Sequence, residues 1–379
     1  MRQLALLLIL AGAVGLQAGQ QRADTLLARA RALHFEVPLV DGHNDYPWAL
    51  RQHDPARDLA ALDIRVPQPR IHTDIPRLRA GGVGGQFWSV YIPAETQGPA
   101  AIRATLEQID IVHRMMARYP DTFALATTAA DVERIFRSGR IASLIGMEGG
   151  HSIDSSLAVL RMFHAAGARY LTLTHSANVP WADSGTDTPR HGGLSRFGEE
   201  VVREMNRLGM LVDLSHTSPD TMLDALRMSD APVLFSHSDA RALNDHRRNV
   251  PDDVLRLLPA NGGVVMVTFV PQFLTSSGKA TLADVANHMD HIRKVAGSDH
   301  VGIGSDFDGI ETVPVGLEDV STYPALTAEL LRRGWPEDDV RKALGLNVLR
   351  VMRRAEEVAA RLQQERGPST ATIERLDRP

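Results

Sequence analysis

Residues 141–151 read IASLIGMEGGH, a mostly apolar run that ends at Glu148. A continuous apolar run of this length is typical of a parallel strand that helices bury on both faces. Seven further runs of this kind occur at residues 38–40, 83–91, 169–174, 210–214, 232–235, 263–269 and 301–304. Helical patterns separate them, among them residues 102–118, 157–166, 195–208 and 282–296. Eight strands with helical spacers predict an α/β fold, a TIM-like (β/α)8 barrel.

The barrel prediction makes residues 21–364 a single domain. Residues 52–69 are polar and contain three prolines, so we expect a loop over the mouth of the barrel. Residues 326–364 have a helical pattern with Pro336 as a helix-start signal, which predicts extra C-terminal helices on the outside of the barrel. We expect residues 365–379 to be a flexible tail.

Residues 1–20 have the composition of a secretory signal peptide. Arg2 supplies the positive charge, residues 4–16 are apolar or small, and Ala18 offers a small residue near a cleavage point. The apolar stretch is short for a membrane-spanning helix, although an uncleaved anchor is the alternative. This pattern predicts a secreted or periplasmic protein with no membrane anchor after cleavage.

The composition excludes several kinds of site and partner. The formal net charge is -5, which gives no reason to expect nucleic acid or an anionic membrane as a partner. The sequence has no cysteine, which excludes disulfides, thiolate metal ligands and a cysteine nucleophile. Any metal ion must therefore be bound by His, Asp and Glu side chains.

Ionisable side chains follow six of the eight candidate strands. They are His43 with Asp45, then Glu148, His175, His216, His237 and Asp306. A lone histidine after an apolar run is more often a hydrogen-bonded core residue, and an isolated His-x-Asp is more often a surface pair. However, the active sites of these barrels lie at the C-terminal ends of the strands, where all six positions would meet. Metal coordination would also offset the cost of placing these groups beside buried segments.

A set of motifs accompanies these residues along the chain. They are His43-Asn44-Asp45, GGQFWSVY at 84–91, Glu148-Gly149-Gly150-His151, Leu173-Thr174-His175, Asp213-Leu214-Ser215-His216, Phe235-Ser236-His237-Ser238, Arg247-Arg248-Asn249-Val250-Pro251 and GSDFDG at 304–309. In this order the set resembles the membrane (renal) dipeptidase family, peptidase family M19 of the amidohydrolase superfamily. The resemblance runs from His43 to Asn347. One departure is Leu346-Asn347, where the family often has Gly-Asn.

The resemblance implies two zinc ions in each chain. His43 and Asp45 would hold one ion, His216 and His237 the other, and Glu148 would bridge both together with a water or hydroxide. The donor count agrees with this, because a carboxylate has two oxygens and can serve two ions. The same donor set could accept manganese or cobalt in vitro.

Three further residues are left for the chemistry and the substrate. The resemblance implies that Asp306 takes a proton from the water and returns it to the leaving amine. We assign His175 to polarising the scissile carbonyl or stabilising the oxyanion, and Arg248 to binding the terminal carboxylate of the substrate. The alternative for Arg248 is a surface salt bridge. Two other residues near the site are expected to be structural, His151 and Asp308.

The expected function is zinc-dependent hydrolysis of dipeptides, including those with a D-residue at the C-terminal position. One alternative is a binuclear amidohydrolase that acts on another amide, a lactone or a phosphoester. A non-enzymatic alternative is a metal-dependent peptide-binding protein. A homodimer is expected from the resemblance alone.

Overall fold

The computed structural model of the chain describes residue 21 and residues 23–377. The predicted signal peptide, residues 1–20, lies outside the described residues. No helix in the part of the chain that the structure describes is long and apolar enough to cross a bilayer.

Eight parallel strands close into a barrel. The described residues contain nine strands, and all of them except β3 form this ring: β1 (Leu39–Asn44), β2 (Val83–Ser89), β3 (Phe123–Leu125), β4 (Ile141–Glu148), β5 (Ala168–Thr172), β6 (Leu211–Asp213), β7 (Leu234–Phe235), β8 (Val264–Val267) and β9 (Val301–Ile303). Their order is β2-β1-β9-β8-β7-β6-β5-β4, and a direct pairing of β2 with β4 closes the ring. The prediction of a (β/α)8 barrel is confirmed, and each of the eight predicted strands contributes to the ring.

Strand β3 is the one strand of the described chain that the sequence did not predict. It pairs with residues 141–143 of β4 and stands outside the ring, because residues 145–148 of β4 pair with β5 instead. Its three residues, Phe123-Ala124-Leu125, are apolar, but the run is too short to be told apart from part of a helix, and only Phe123 is fully buried.

Helices surround the barrel, as expected for this fold. They are α1 (23–36), α2 (Tyr46–His53), α3 (Ile75–Ala80), α4 (Pro99–Arg118), α5 (Ala129–Arg137), α6 (Leu157–Ala165), α7 (Arg196–Leu208), α8 (Pro219–Met228), α9 (Asp252–Leu255), α10 (Leu258–Asn261), α11 (Pro271–Leu274), α12 (Leu282–Ala296), α13 (Tyr323–Arg332), α14 (Glu337–Arg341), α15 (Asn347–Glu365) and α16 (Ile373–Asp377). Local signals fix several of their ends. The Ser195 hydroxyl caps α7, and α14 begins directly after Pro336.

The predicted loop over residues 52–69 corresponds to residues 54–74, which contain no helix or strand. Its later part reaches the mouth of the barrel, where the backbone N–H of His72 donates a hydrogen bond of 2.5 Å to Asp308. The loop is therefore tied to the segment that follows β9.

The C-terminal segment differs from the expectation of a flexible tail over residues 365–379. Helix α15 includes Glu365, and α16 packs on the barrel with Ile373 buried. The carboxylate of Asp377 accepts a hydrogen bond of 2.5 Å from the Ser195 hydroxyl and another from the backbone N–H of Phe197. A carboxylate at the N-terminus of α7 is favourable because the backbone N–H groups there have no partner within the helix. No sequence pattern indicated this contact between distant residues.

Two large side chains fill the barrel beneath its mouth, and glycines on other strands make room for them. A Cβ atom at Gly146 would lie 2.0 Å from the ring of Tyr170, and one at Gly42 would lie 2.6 Å from the sulfur of Met266. Any larger residue at these two positions would have to displace a core side chain. The floor of the mouth is thus formed by Tyr170 and Met266.

Candidate metal centre

The five predicted metal ligands lie together at the C-terminal mouth of the barrel. His43 lies in β1 with Asp45 just after it, Glu148 ends β4, and His216 and His237 follow β6 and β7. Glu148 is central, since its Oε1 lies 2.9 Å from His216 Nε2 and 3.4 Å from His237 Nε2. Its Oε2 instead lies 3.4 Å from His43 Nε2, which is 3.2 Å from Asp45 Oδ2. The two oxygens of Glu148 therefore face two different groups of ligands.

The ligand atoms fit a bound cation. His43 Nε2 and Asp45 Oδ1 are buried and have no hydrogen-bond partner among the described residues, and His216 Nε2 faces His237 Nε2 at 2.9 Å. Three overlapping groups each bring their ligand atoms within 4.8 Å of one another: His43, Glu148 and His237; Glu148, His175 and His216; and His43, Asp45 and Asp306. Buried polar atoms without partners are costly, and a metal ion would satisfy several of them at once.

Hydrogen bonds behind two of the histidines hold their Nε2 atoms toward the centre. His43 Nδ1 lies 2.9 Å from the Tyr170 hydroxyl, which itself donates to the carbonyl oxygen of Gly42. His237 Nδ1 lies 2.8 Å from the Ser236 hydroxyl. Such contacts fix the tautomer and the ring orientation of a metal-binding histidine.

The charges in the centre favour a cation as well. Burial lowers the pKa of His216 and of His237 well below the usual range, which keeps both rings neutral and their lone pairs free. Burial alone would raise the pKa of Glu148, but the nearby His43 and His175 hold it well below its usual value. For His43, burial lowers the pKa, but Tyr170 and the carboxylates of Glu148 and Asp45 raise it well above normal. The surroundings of His43 thus favour positive charge at this position.

Asp41 is a structural carboxylate of the site that the sequence prediction missed. It is fully buried and accepts hydrogen bonds of 2.7 Å from the backbone N–H of Ser305, the Ser305 hydroxyl and the Tyr323 hydroxyl, and one of 3.0 Å from Gln86. These bonds join β1 to the residues after β9 directly beneath the mouth. An aspartate inside an apolar run, as in Leu39-Val40-Asp41, was the available signal.

Asp213 makes a similar junction on the other side of the barrel. Its Oδ2 accepts hydrogen bonds from the Thr172 hydroxyl at 2.5 Å and the Ser236 hydroxyl at 2.6 Å. Its Oδ1 accepts from the backbone N–H groups of Ser236 and Ser215. The ends of β5, β6 and β7 are fixed relative to one another by this one side chain, immediately before His216 and His237.

Asp306 lies at the edge of the ligand group, with Oδ1 4.0 Å from His43 Nε2. Its φ angle is +70°, and that of His216 is +67°, a conformation that non-glycine residues rarely adopt and that is enriched at functional sites. Burial and the carboxylates of Asp45 and Glu148 raise the pKa of Asp306 well above its usual value, against the opposing influence of His43. Asp306 is thus a partly buried carboxylate beside the candidate ligands, with its pKa raised by its surroundings.

A cavity of about 320 Å³ opens above these residues. Its walls are Asp45, Trp48, Tyr91, Glu148, His175, His216, Arg248, Val270, Phe273, Asp306, Gly309 and Ile310. The sequence prediction placed His175 and Arg248 here but missed the apolar wall of Trp48, Tyr91 and Phe273. His175 Nε2 lies 3.7 Å from Glu148 Oε1.

Arg248 is buried, which contradicts the alternative of a surface salt bridge. Its Nη2 donates to the carbonyl oxygen of His237 at 3.3 Å, while its Nε and Nη1 have no partner among the described residues. The guanidinium carbon lies 5.2 Å from the centre of the Phe273 ring. Burial lowers the pKa of Arg248 to about 10, so the side chain is still positively charged at neutral pH.

His151 and Asp308 are close to the site but turn away from the ligands. His151 Nε2 lies 3.2 Å from the carbonyl oxygen of Ile92. Asp308 accepts from the backbone N–H of His72, and its own N–H donates to His72 Nδ1. Both residues hold neighbouring loops together.

The sequence of nearly the whole chain is similar to known dipeptidases. A sequence model of the membrane dipeptidase family, peptidase family M19, matches residues 27–366. The chain belongs to this family. It is 48% identical over 353 residues to dipeptidase verJ of Clonostachys rogersoniana, covering 90% of both chains. It is 49% identical over 340 residues to dipeptidase 3 of Rattus norvegicus, covering 88% of this chain and 68% of the relative.

The chain is also similar to a solved structure. The chain is similar to a metallopeptidase of Rhodobacter sphaeroides whose crystal structure contains a phosphinate mimic of the dipeptide L-Ala-D-Ala. The two share 29% identity and a TM-score of 0.77, covering 84% of this chain and 99% of the other. The family resemblance predicted from the motifs is confirmed, and the protein is a metallopeptidase of the dipeptidase type.

The central position of Glu148 generates a prediction about metal content. Glu148→Gln should lose metal from both groups of ligands, because it removes the carboxylate charge whose two oxygens face the two groups. His175→Gln should keep its metal, because all five predicted ligands are intact in this variant. Mass-spectrometric metal analysis after loading with a divalent ion and gel filtration measures both. Equal loss in the two variants would show that His175 is also a ligand.

Proposed function

We propose that this protein is a zinc-dependent dipeptidase with two zinc ions at the mouth of its barrel. His43 and Asp45 would hold one ion, His216 and His237 the other, and Glu148 would bridge them together with a water or hydroxide. The observation that carries the proposal is that the two oxygens of Glu148 face two separate groups of ligands. Nitrogen and oxygen donors without any thiolate suit zinc in a catalytic site.

When bound, the ions would supply a nucleophile at neutral pH and polarise the scissile carbonyl. Two residues of the chain, Asp306 and His175, line the cavity on opposite sides. In the ring of strands, β9 and β5 are four places apart, so Asp306 and His175 face each other across the mouth. An amide held between them would have a proton acceptor on one flank and an imidazole N–H on the other.

Asp306 is the proposed general base and acid. It would accept the proton of the attacking water and deliver it to the leaving amine, work for which a carboxylate with a raised pKa is suited. His175 would donate a hydrogen bond to the carbonyl oxygen as it becomes negative. Burial lowers the pKa of His175, so its ring is neutral and keeps one N–H to donate.

Arg248 is the proposed partner of the substrate's terminal carboxylate. Its positively charged side chain lines the catalytic cavity and is buried. Two of its nitrogens have no hydrogen-bond partner among the described residues. A guanidinium binds a carboxylate through parallel hydrogen bonds. The small cavity supports a dipeptide as substrate, and the inhibitor in the Rhodobacter sphaeroides relative supports tolerance of a D-residue at the C-terminal position.

The setting of the enzyme completes the proposal. Residues 1–20 would direct the chain to the periplasm or the exterior as a signal peptide, leaving residues 21–364 as the catalytic domain. No part of the proposal requires a membrane anchor, and the expected homodimer rests on family resemblance.

Substrate class is tested with the purified protein. Chelation should abolish hydrolysis of L-Ala-L-Ala and L-Ala-D-Ala, and added zinc should restore it, while a lactone and a phosphoester are left intact. Faster turnover of the lactone or phosphoester would favour another binuclear hydrolase. Tight, zinc-dependent binding of the dipeptides without turnover would identify a peptide-binding protein instead.

Asp306→Asn should lower kcat by about 100-fold to 10,000-fold, because an amide cannot accept the proton. Its metal content should not change. Asp308→Asn is the matched control: this aspartate is two residues away, has a similar φ of +67° and faces His72 rather than the ligands. An Asp306→Asn variant with near-normal kcat and full metal content would refute the proton-transfer role.

Arg248→Ala should raise KM for dipeptides by about 10-fold to 100-fold, since a charged hydrogen-bonding partner is lost. The exposed neighbour Arg247 provides the control variant Arg247→Ala, which should behave like the wild type. The C-terminal amide of the same dipeptide separates recognition from misfolding. It lacks the carboxylate, so wild type and Arg248→Ala should hydrolyse it at similar rates.

A further inference from the structure

The two histidines that line the catalytic cavity, His175 and His216, lie beyond the end of strand pairing. The ladder between β5 and β6 ends where Thr172 pairs with Asp213, and each histidine lies three residues further along the chain. Their ring centres are only 4.2 Å apart. His216 also has a φ of +67°, a backbone conformation that needs support from its surroundings. Contacts other than strand pairing must therefore hold the backbones of these two residues.

A serine in the loop between β5 and α7 contacts both of them. Ser184 is buried, and its hydroxyl donates a hydrogen bond of 2.6 Å to the carbonyl oxygen of His175. The same hydroxyl lies 3.3 Å from the carbonyl oxygen of His216. The backbone N–H of the next residue, Gly185, donates to that second carbonyl at 2.7 Å. Ser184 and Gly185 therefore tie the two histidines to each other through their main chains.

Gly185 also packs against the segment that carries the proposed substrate-binding arginine. A Cβ atom at Gly185 would lie 2.9 Å from the carbonyl oxygen of Arg247 and 3.0 Å from that of Thr217. The backbone of Gly185 is thus in close contact with the residue before Arg248 and the residue after His216. The junction in this loop supports both sides of the same part of the cavity.

The loop that presents Ser184 is itself well held. The carboxylate of Asp183 accepts hydrogen bonds from four consecutive backbone N–H groups, those of residues 190–193. The backbone N–H of Ser184 donates to the side-chain oxygen of Asn178 at 2.7 Å. The position of the Ser184 hydroxyl is therefore set by the loop, and His175 is held against it.

We propose that Ser184 is a positioning residue for catalysis, which keeps His175 in place beside the metal ligands through the hydrogen bond to its carbonyl oxygen. The inference rests on the proposed function, in which His175 donates a hydrogen bond to the substrate carbonyl. His175 Nε2 is 3.7 Å from Glu148 Oε1, and the ligand atoms of His175, Glu148 and His216 lie within 4.8 Å of one another. A small displacement of the His175 backbone would move its ring relative to the ligands, and stabilisation of an oxyanion depends steeply on such geometry.

The first test is the loss of the hydroxyl in zinc-loaded protein. Ser184→Ala should lower kcat for L-Ala-D-Ala by about 10-fold, because contacts behind the side chains of a metal site commonly matter at this level. KM and metal content should stay near the wild-type values, since Arg248 and the five predicted ligands are intact. Ser143→Ala is the matched control, with unchanged kcat: this serine of β4 is also buried, but its hydroxyl has no hydrogen-bond partner among the described residues.

A double variant separates positioning from a general loss of structure. If Ser184 acts through His175, adding Ser184→Ala to His175→Gln should lower kcat by less than about twofold further, because the group that it positions is already gone. A general structural defect would lower kcat by the same factor in both backgrounds, and thermal unfolding would show it as well. Equal factors in the two backgrounds, or a normal kcat in Ser184→Ala, would overturn the proposal.

Binding of a phosphinate dipeptide mimic, followed by calorimetry, gives a measurement that does not depend on turnover. Its tetrahedral centre carries negatively charged oxygens, as the intermediate of amide hydrolysis does, so Ser184→Ala should weaken its binding about 10-fold while Ser143→Ala leaves it unchanged. Unchanged binding by Ser184→Ala would contradict the positioning role. A wild-type protein that binds the phosphinate but hydrolyses no dipeptide would instead contradict the proposed function.

Discussion

The site depends on one buried carboxylate surrounded by imidazoles. Four histidines, His43, His175, His216 and His237, place an Nε2 atom within 4 Å of Glu148, at a depth where an unpaired charge is costly. Side chains alone do not satisfy this arrangement, because His43 Nε2 and Asp45 Oδ1 have no hydrogen-bond partner among the described residues. The barrel mouth is therefore built around positive charge that side chains do not fully supply, which is the physical reason for assigning a metal centre to it.

The side chains beneath the site hold this arrangement in place. Asp41 and Asp213 each join strands that carry ligands, one on each side of the barrel. Tyr170 fills the interior and reaches up to His43, which requires Gly146 on the neighbouring strand. The left-handed backbone at His216 and Asp306 is tolerated because the surrounding contacts fix it. The contacts beneath the mouth therefore position both the candidate ligands and Asp306.

The sequence predicted the ring of strands and the residues at their ends, because apolar runs are local and Glu148, His216 and His237 follow them directly. Other features depend on contacts between distant segments. Asp41 resembles any aspartate in a strand until Ser305 and Tyr323 meet it, and Asp377 has no visible partner until α7 is in place. The apolar wall of the cavity is formed by Trp48 in α2, Tyr91 after β2 and Phe273 in α11, which come together only in the folded barrel. Strand β3 is too short to give a signal of its own.

The bond between Asp41 and Ser305 spans 264 positions of the chain. On its other side β1 pairs with β2, which follows it closely in the chain. One flank of the segment that carries His43 and Asp45 is therefore supported by a neighbour in the sequence, and the other by residues from the far end of the chain. The positions of these two side chains thus belong to the closed barrel as a whole.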